Sequence, residues 1–272
     1  MATLEQYIND RLAQGRDYFS RKEALIALGS TVVALGASLT RQIRKGRLVN
    51  PWHGFYLILR PEDRAAGASD PVRWINPLMN HLKLDYRISL LRAAAFHGTS
   101  HQAAMVFQVI VPKQVRNFKI GRHRLEFVYQ NPTIFRHVNQ ADWLDSLKTD
   151  AGFAKVAGIE LTLLDCARYF HKVAGISGLA QIIKDLGGQA NSSKLAKIAA
   201  YYENSSVRRL GYLLERVGHI RQSNVLHTFV KKAKTVVLLN PSVKYLTEGL
   251  TQLHDKVPKW MLIINEPVEI DY

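Results

Sequence analysis

Through the first 45 positions the apolar residues recur three and four apart, and past Gly46 they alternate with polar ones, so the chain opens on helices and then turns to strand. The spacing predicts helices over residues 3–14, 20–28 and 31–45. Each start has a chemical cause. Thr3, Ser20 and Thr31 carry hydroxyls able to accept from the orphan N–H groups of a first turn, and Glu23, three residues beyond Ser20, completes a capping box. Each end falls at a glycine, Gly15, Gly29 or Gly46, the residue best suited to a left-handed C-cap. The strand-like part comprises residues 47–49, a turn over 50–54 bracketed by Pro51 and Gly54, and a β-rich run at 55–59. Three short helices followed by a hairpin give the order of a winged helix-turn-helix.

Residues 60–71 are polar and hold Pro, Ala and Gly, the composition of an exposed connection. Helical patterns follow over 74–82 and 86–97, then strands over 105–111, 115–121 and 124–129, with Pro112 and Gly121 as turn signals. Helices return at 160–173, 177–186, 192–203, 206–217 and 223–232, before short strands at 235–239 and 260–264. The chain has no repeat of fixed period and no low-complexity tract. The expected fold is α+β, with an N-terminal winged helix-turn-helix over 1–61, a linker over 62–71 and a mixed α+β domain over 72–272.

Composition sharpens this picture at three points. With 272 residues, 47% of them apolar, the chain can build sizeable cores. Its 37 Lys/Arg against 22 Asp/Glu leave a net charge of +15, a field that attracts polyanions and makes nucleic acid the first candidate partner. A membrane surface would call for a basic amphipathic helix or a lipid signal, and neither is found. The single cysteine, Cys166, excludes an internal disulfide and multi-thiolate zinc sites and fits a reducing compartment. The uncharged run 24–40 is broken by Gly29, Ser30, Thr31, Gly36 and Ser38 and is too short for a bilayer, while residues 1–15 read as an amphipathic helix and not as a signal peptide. A cytoplasmic location without cofactor or metal is expected.

The third helix carries the candidate chemistry. Val32, Leu35 or Gly36, Leu39 and Ile43 form its expected buried face, and Ala34, Ala37, Ser38, Arg41, Arg44 and Lys45 the opposite one, with no acid anywhere in the helix. Small residues at its start allow close approach to base edges, and cations at its end reach phosphate or guanine. Arg47, Asn50 and His53 lie on the hairpin that follows, and Arg21 and Lys22 at the start of the second helix suit phosphate. The competing reading is a plain three-helix bundle whose basic helix end complements its own dipole. The wing, and nine Lys/Arg against four Asp/Glu up to Arg60, favour DNA.

At these residues the chain resembles AbiEi-type antitoxins. The run YFSRKEALIALGSTVVALGASLTRQIRKGRLVNPWHGFYLIL is similar to their N-terminal winged helix, where a helix ending in Lys/Arg-Gly-Arg-Leu enters a Gly-aromatic-Tyr strand. Downstream, INPLMNHL, YRISLLRAAAFHGTSHQAAMVFQVIV, GIELTLLDCARY, SSVRRLGYLLERVG and WMLIINEPVEID resemble, in order, blocks of the family's antitoxin domain. The resemblance implies DNA contacts at Arg41, Arg44, Lys45 and Arg47. It also implies a non-enzymatic antitoxin and autorepressor that binds inverted repeats in its own promoter and counteracts a co-encoded nucleotidyltransferase-like toxin, with that toxin or its RNA target as further partners. Phe170-His171-Lys172-Val173 stands where the family has a small or Gly-rich turn, and 132–150 has no counterpart among the blocks.

Other signals have plainer readings. His97 and His101 have metal-ligand spacing, but Gly98 interrupts them and no carboxylate follows. Gly175, Gly178, Gly187 and Gly188 flank a helix without the preceding strand of a dinucleotide fingerprint, and are expected as caps. Glu160 and Asp165, with Arg168 near, and Cys166 with His171, stand five residues apart and so do not share a helix face as catalytic pairs. Two basic clusters remain: Lys113, Arg116, Lys119, Arg122 and Arg124, and a second that includes Arg208, Arg209, Lys231, Lys232 and Lys234. They suit flanking DNA, RNA or an acidic partner protein, and the sequence does not choose. The alternatives to a repressor are a nucleic-acid-processing enzyme targeted by a winged helix, disfavoured because no acidic cluster suits Mg²⁺, and a ligand-responsive repressor.

Overall fold

The computed structural model describes residues 3–99, 106–149, 152–243 and 255–270. Thr3 caps α1 (Leu4–Ala13): its hydroxyl accepts from the Gln6 N–H at 3.2 Å while the Gln6 side chain accepts from the Thr3 N–H at 2.8 Å. Ser20 and Glu23 make the same reciprocal box at α2 (Arg21–Leu28), and Thr31 caps α3 (Val32–Arg44). Gly15, Gly29 and Gly46 take the left-handed conformation expected of helix ends.

A short strand that the apolar spacing misses, β1 (Tyr18–Ser20), precedes α2 and pairs with the hairpin β2 (Leu48–Trp52) and β3 (Phe55–Ile58) in an antiparallel sheet of order β1-β3-β2. The hairpin turn is shorter than expected. β2 continues through Pro51 to Trp52, and a register shift between Val49 and Trp52 absorbs the proline, which has no N–H for the ladder. Leu4, Ile8, Phe19, Ala24, Leu28, Leu35, Leu39, Leu48 and Ile58 close a core between helices and sheet.

Residues 60–70 are less exposed than their composition suggests: a 3-10 turn at Pro61–Asp63 leads to buried Ala68 and Ser69. Asp70 caps α4 (Pro71–Leu82), which starts earlier than the apolar pattern shows because Pro71 supplies its first turn. Buried Asp17 pairs with Arg73 of α4 at 3.0 Å, and the Trp74 indole donates to the Ser69 carbonyl at 3.0 Å. The segment read as a helix from 86 begins instead with β4 (Arg87–Ile88) and continues as α5 (Leu90–Phe96). Then come β5 (Val106–Val111), β6 (Phe118–Ile120) and β7 (His123–Tyr129); β7 pairs parallel with β5 and antiparallel with β6. α6 (Pro132–Val138), β8 (Leu144–Thr149) and β9 (Gly152–Ala157) fill a region the sequence left blank.

Five helices follow in the expected order: α7 (Ile159–Arg168), α8 (Gly175–Leu186), α9 (Ser192–Ala199), α10 (Asn204–Arg216) and α11 (Ile220–His227). β10 (Val237–Leu238), β11 (Asp255–Val257) and β12 (Leu262–Ile264) form a small sheet centred on β12. Buried Trp260 lies against Gly211 of α10, where any side chain would run into the ring.

The described residues thus make a mixed α+β fold of eleven α-helices and three sheets, in two compact units. One comprises Met1–Arg87, Met105–Gln130 and Ser146–Lys155; the other comprises Ile88–Ala104, Asn131–Asp145 and Val156–Tyr272. No single helix among the described residues is long and apolar enough to cross a membrane.

Candidate nucleic-acid interface

Leu35, Leu39 and Gln42 are the buried residues of α3 and fall in one narrow stripe at about 100° per residue. The expected apolar face fails at both ends: Val32 is 57% and Ile43 40% exposed, because they stand roughly 60–80° off that stripe. Gln42 takes the inward place instead. The opposite stripe runs Val33, Ala37, Thr40 and Arg44, with Arg41 beside it, all exposed; Val33 reaches 83%. Charge and small size single out Ala37, Arg41 and Arg44 from sequence but pass over Val33 and Thr40, whose only signal is their spacing from Arg44. Ala34 and Lys45 are exposed at the margins and Ser38 is half-buried.

Arg41, Arg44 and Lys45 make no side-chain ion pair among the described residues. The remaining expected contacts divide. Lys22 and His53 are exposed. Arg47 is drawn onto α1, where its guanidinium pairs with Glu5 at 2.6 Å and donates to Asn9 at 2.7 Å. Arg21, half-buried, is likewise engaged by the protein: its guanidinium donates to the Val32 carbonyl at 3.2 Å and its backbone N–H to the Gly54 carbonyl at 2.8 Å. The Asn50 amide braces the hairpin turn by donating to the carbonyls of Trp52 and Phe55 at 2.6 and 2.7 Å.

Nearby acids are committed as well. Glu5 is paired with Arg47, and Asp17 with Arg73; burial raises the pKa of Asp17 against the pull of that arginine. Burial also works to raise the pKa of Glu23, but hydrogen bonds from the Ser20 backbone and hydroxyl and the charge of Arg11 outweigh it, so the net shift is downward. Glu5, Asp17 and Glu23 thus have partners other than the cations of α3.

The first basic cluster lies in the same compact unit. Lys113, Arg116, Lys119, Arg122 and Arg124 are all exposed, and the Arg116 guanidinium stands 4.8 Å from the centre of the Trp52 ring on the hairpin. The second cluster splits. Lys231, Lys232 and Lys234 are exposed, but Arg208 and Arg209 are only 3% and 4% exposed and form no surface. Arg208 donates to the carbonyls of Thr235 and Met261, and Arg209 to those of Leu239 and Ala167, while stacking 4.6 Å from the Phe170 ring centre. Both are pins within the second unit.

Residues 87–216 match the family model for the AbiEi antitoxin C-terminal domain. This segment belongs to the AbiEi antitoxin family. That domain supports an antitoxin role. The match leaves out the resembling blocks at 75–82 and 260–271. Among solved structures, the chain is similar to the RV2827C protein from Mycobacterium tuberculosis, with TM-score 0.64 and 15% identity over 95% of this chain and 90% of that one, a likeness of fold. No curated protein matches the chain.

Within the AbiEi domain the polar residues of α7 are structural. Buried Asp165 accepts from the Ser89 hydroxyl at 2.7 Å and the Tyr202 hydroxyl at 2.6 Å, and Glu160 accepts from the Asn191 N–H at 2.6 Å. Arg168 pairs with Glu203. Cys166 is fully buried, and burial pushes its thiol pKa well up, away from the thiolate a nucleophile needs. His97 is bonded to the Ala157 carbonyl at 2.7 Å; His101 lies outside the described residues. Among the described residues no cluster of His, Cys, Asp and Glu suits a metal.

Proposed function

We propose that this antitoxin is also the repressor of its own operon, binding inverted repeats in its promoter through a winged helix-turn-helix over residues 1–61. In this reading residues 72–272 counteract a co-encoded nucleotidyltransferase-like toxin, with 62–71 joining the two activities. One observation carries the reading: the outward stripe of α3 holds no acid and ends in Arg44, with Arg41 beside it and Lys45 just past the helix end, three cations without an ion pair of their own among the described residues. The surroundings support it. α2 and α3 meet at a bend of 115°, within the usual range for a helix-turn-helix, and a β-hairpin follows α3 directly.

Base readout would fall to the α3 stripe, with methyl and hydroxyl groups toward its start and guanidinium groups toward its end. A gel-shift titration of the chain's own promoter region tests this against a scrambled duplex. Arg41→Ala and Arg44→Ala should each weaken binding by about 1–3 kcal/mol if they read bases, and less if they touch phosphate alone. Unchanged affinity in both variants would remove α3 from the reading. Rescue of growth on co-expression with the neighbouring toxin gene tests the antitoxin half separately.

A further inference from the structure

The run from Lys113 to Arg124 contains five cations and no acid, all five exposed on β6, its approach and the turn and start of β7. Within the α3-bearing unit this hairpin is fixed at two places. On one side Trp52, the last residue of β2, meets Phe118 of β6 with ring centroids 5.8 Å apart, and the Arg116 guanidinium covers the same indole at 4.8 Å. On the other, the Arg122 N–H donates to the Ala66 carbonyl at 2.9 Å, and His123 bonds to that of Ala68 at 3.2 Å. The β2–β3 turn and the β6–β7 hairpin therefore form one continuous ridge joined at Trp52.

We propose that this ridge is a composite wing, in which Lys119, Arg122 and Arg124 contact duplex phosphates outside the segment that α3 reads. The inference rests on the DNA-binding reading above. Long cations on an exposed hairpin suit backbone contact, which fixes register and carries no sequence information. Continuity with the β2–β3 turn favours flanking DNA over a separate RNA or protein partner. At about 3.3 Å per residue the hairpin extends the contact by roughly 10 Å, which at about 3.4 Å per phosphate along a strand is enough for roughly three further phosphates.

The test uses the full chain with Lys119, Arg122 and Arg124 all changed to Ala, at exposed positions. Fluorescence anisotropy is followed across a salt series on the promoter repeat with flanks, on the bare repeat, and on a scrambled duplex of full length. Each phosphate contact contributes about 0.9 to the slope of log affinity on log salt, so the triple variant should lose roughly 2–3 of that slope on long duplexes. Promoter and scrambled DNA should lose affinity by equal factors, and the bare repeat should lose little. The triple substitution should also matter less in a Trp52→Ala background, where the contact with the β2–β3 hairpin is gone and only the backbone bonds to residues 66 and 68 remain. An unchanged slope overturns the composite wing. So does loss of growth rescue with DNA binding intact, which would make the hairpin a partner surface. If the parent protein shows no preference for promoter over scrambled DNA, the operator reading fails, while the slope comparison still decides the hairpin.

Discussion

Gly67 and Gly121 meet back to back: a Cβ on Gly67 would lie 2.7 Å from the Gly121 Cα, and one on Gly121 would lie 2.8 Å from the Gly67 Cα. Both residues also hold positive φ, +74° and +52°. The segment after the β2–β3 hairpin is thereby pressed onto the β6–β7 turn with no room for a methyl group.

Gly121→Ala should therefore destabilise the protein by about 1–3 kcal/mol, through left-handed strain together with a clash against backbone that cannot swing aside. Thermal melting followed by circular dichroism measures this, and a midpoint equal to the parent's would contradict the close approach.

Arg47 and Arg44 should separate in a binding assay although the family resemblance ranks them together. Arg47 is held by Glu5 and Asn9, so Arg47→Ala should shift stability by about 0–1 kcal/mol and leave operator affinity within roughly threefold. Arg44→Ala should weaken binding by roughly 5–150-fold. Equal losses in the two variants would show that Arg47 leaves α1 on binding DNA.

Arg209→Met removes two donors from buried carbonyls while keeping an apolar chain of similar length. Burial, and then the neighbouring charge of Arg208, lower the Arg209 pKa to about 10, which leaves it charged near neutrality. The substitution should cost about 2–4 kcal/mol of stability, measured by chemical denaturation. A stable variant that instead loses nucleic-acid binding would return Arg209 to the surface.

Glu215 provides a pH signature. Burial acts to raise its pKa, but hydrogen bonds from Lys259 and the Trp260 indole, both at 2.6 Å, outweigh this and lower it below the ordinary 4.5. A carboxylate with a lowered folded pKa contributes stability above its unfolded pKa and loses it as pH falls through the folded value. The parent should thus lose stability below about pH 4.5, and Glu215→Gln should follow a shallower acid limb in denaturant titrations. Superimposable limbs would rule out this coupling.

What could be read from the chain was local. The hydroxyl caps at Thr3, Ser20 and Thr31 and the glycines that end the first three helices are set by residues within a turn of one another, and so were the acid-free face of α3 and the order of the later helices. What escaped depends on distant partners. β1 is three residues long and exists because β3 pairs with it. Pro51 suggested a turn, but a bulge opposite Tyr56, between the Val49–Leu57 and Trp52–Phe55 pairs, lets the strand pass through it. Arg208 and Arg209 carry the composition of a solvated face and are buried because residues 235–239 and Met261 bring carbonyls to them from outside the helix. Arg21, Arg47 and Asn50 likewise looked like free contacts until their protein partners were in place.

Arg21 has a larger part than a single phosphate contact would give it. Its N–H holds the Gly54 carbonyl at the hairpin turn and its guanidinium holds the Val32 carbonyl at the start of α3, so one residue spans the hairpin and the helix that the proposed reading sets against DNA. Such a bridge acts as a gauge block. The separation of helix and turn is set within the protein itself; on the proposed DNA-binding reading, little ordering entropy would remain to be lost on docking, and a duplex that does not match that separation would be bound at a cost.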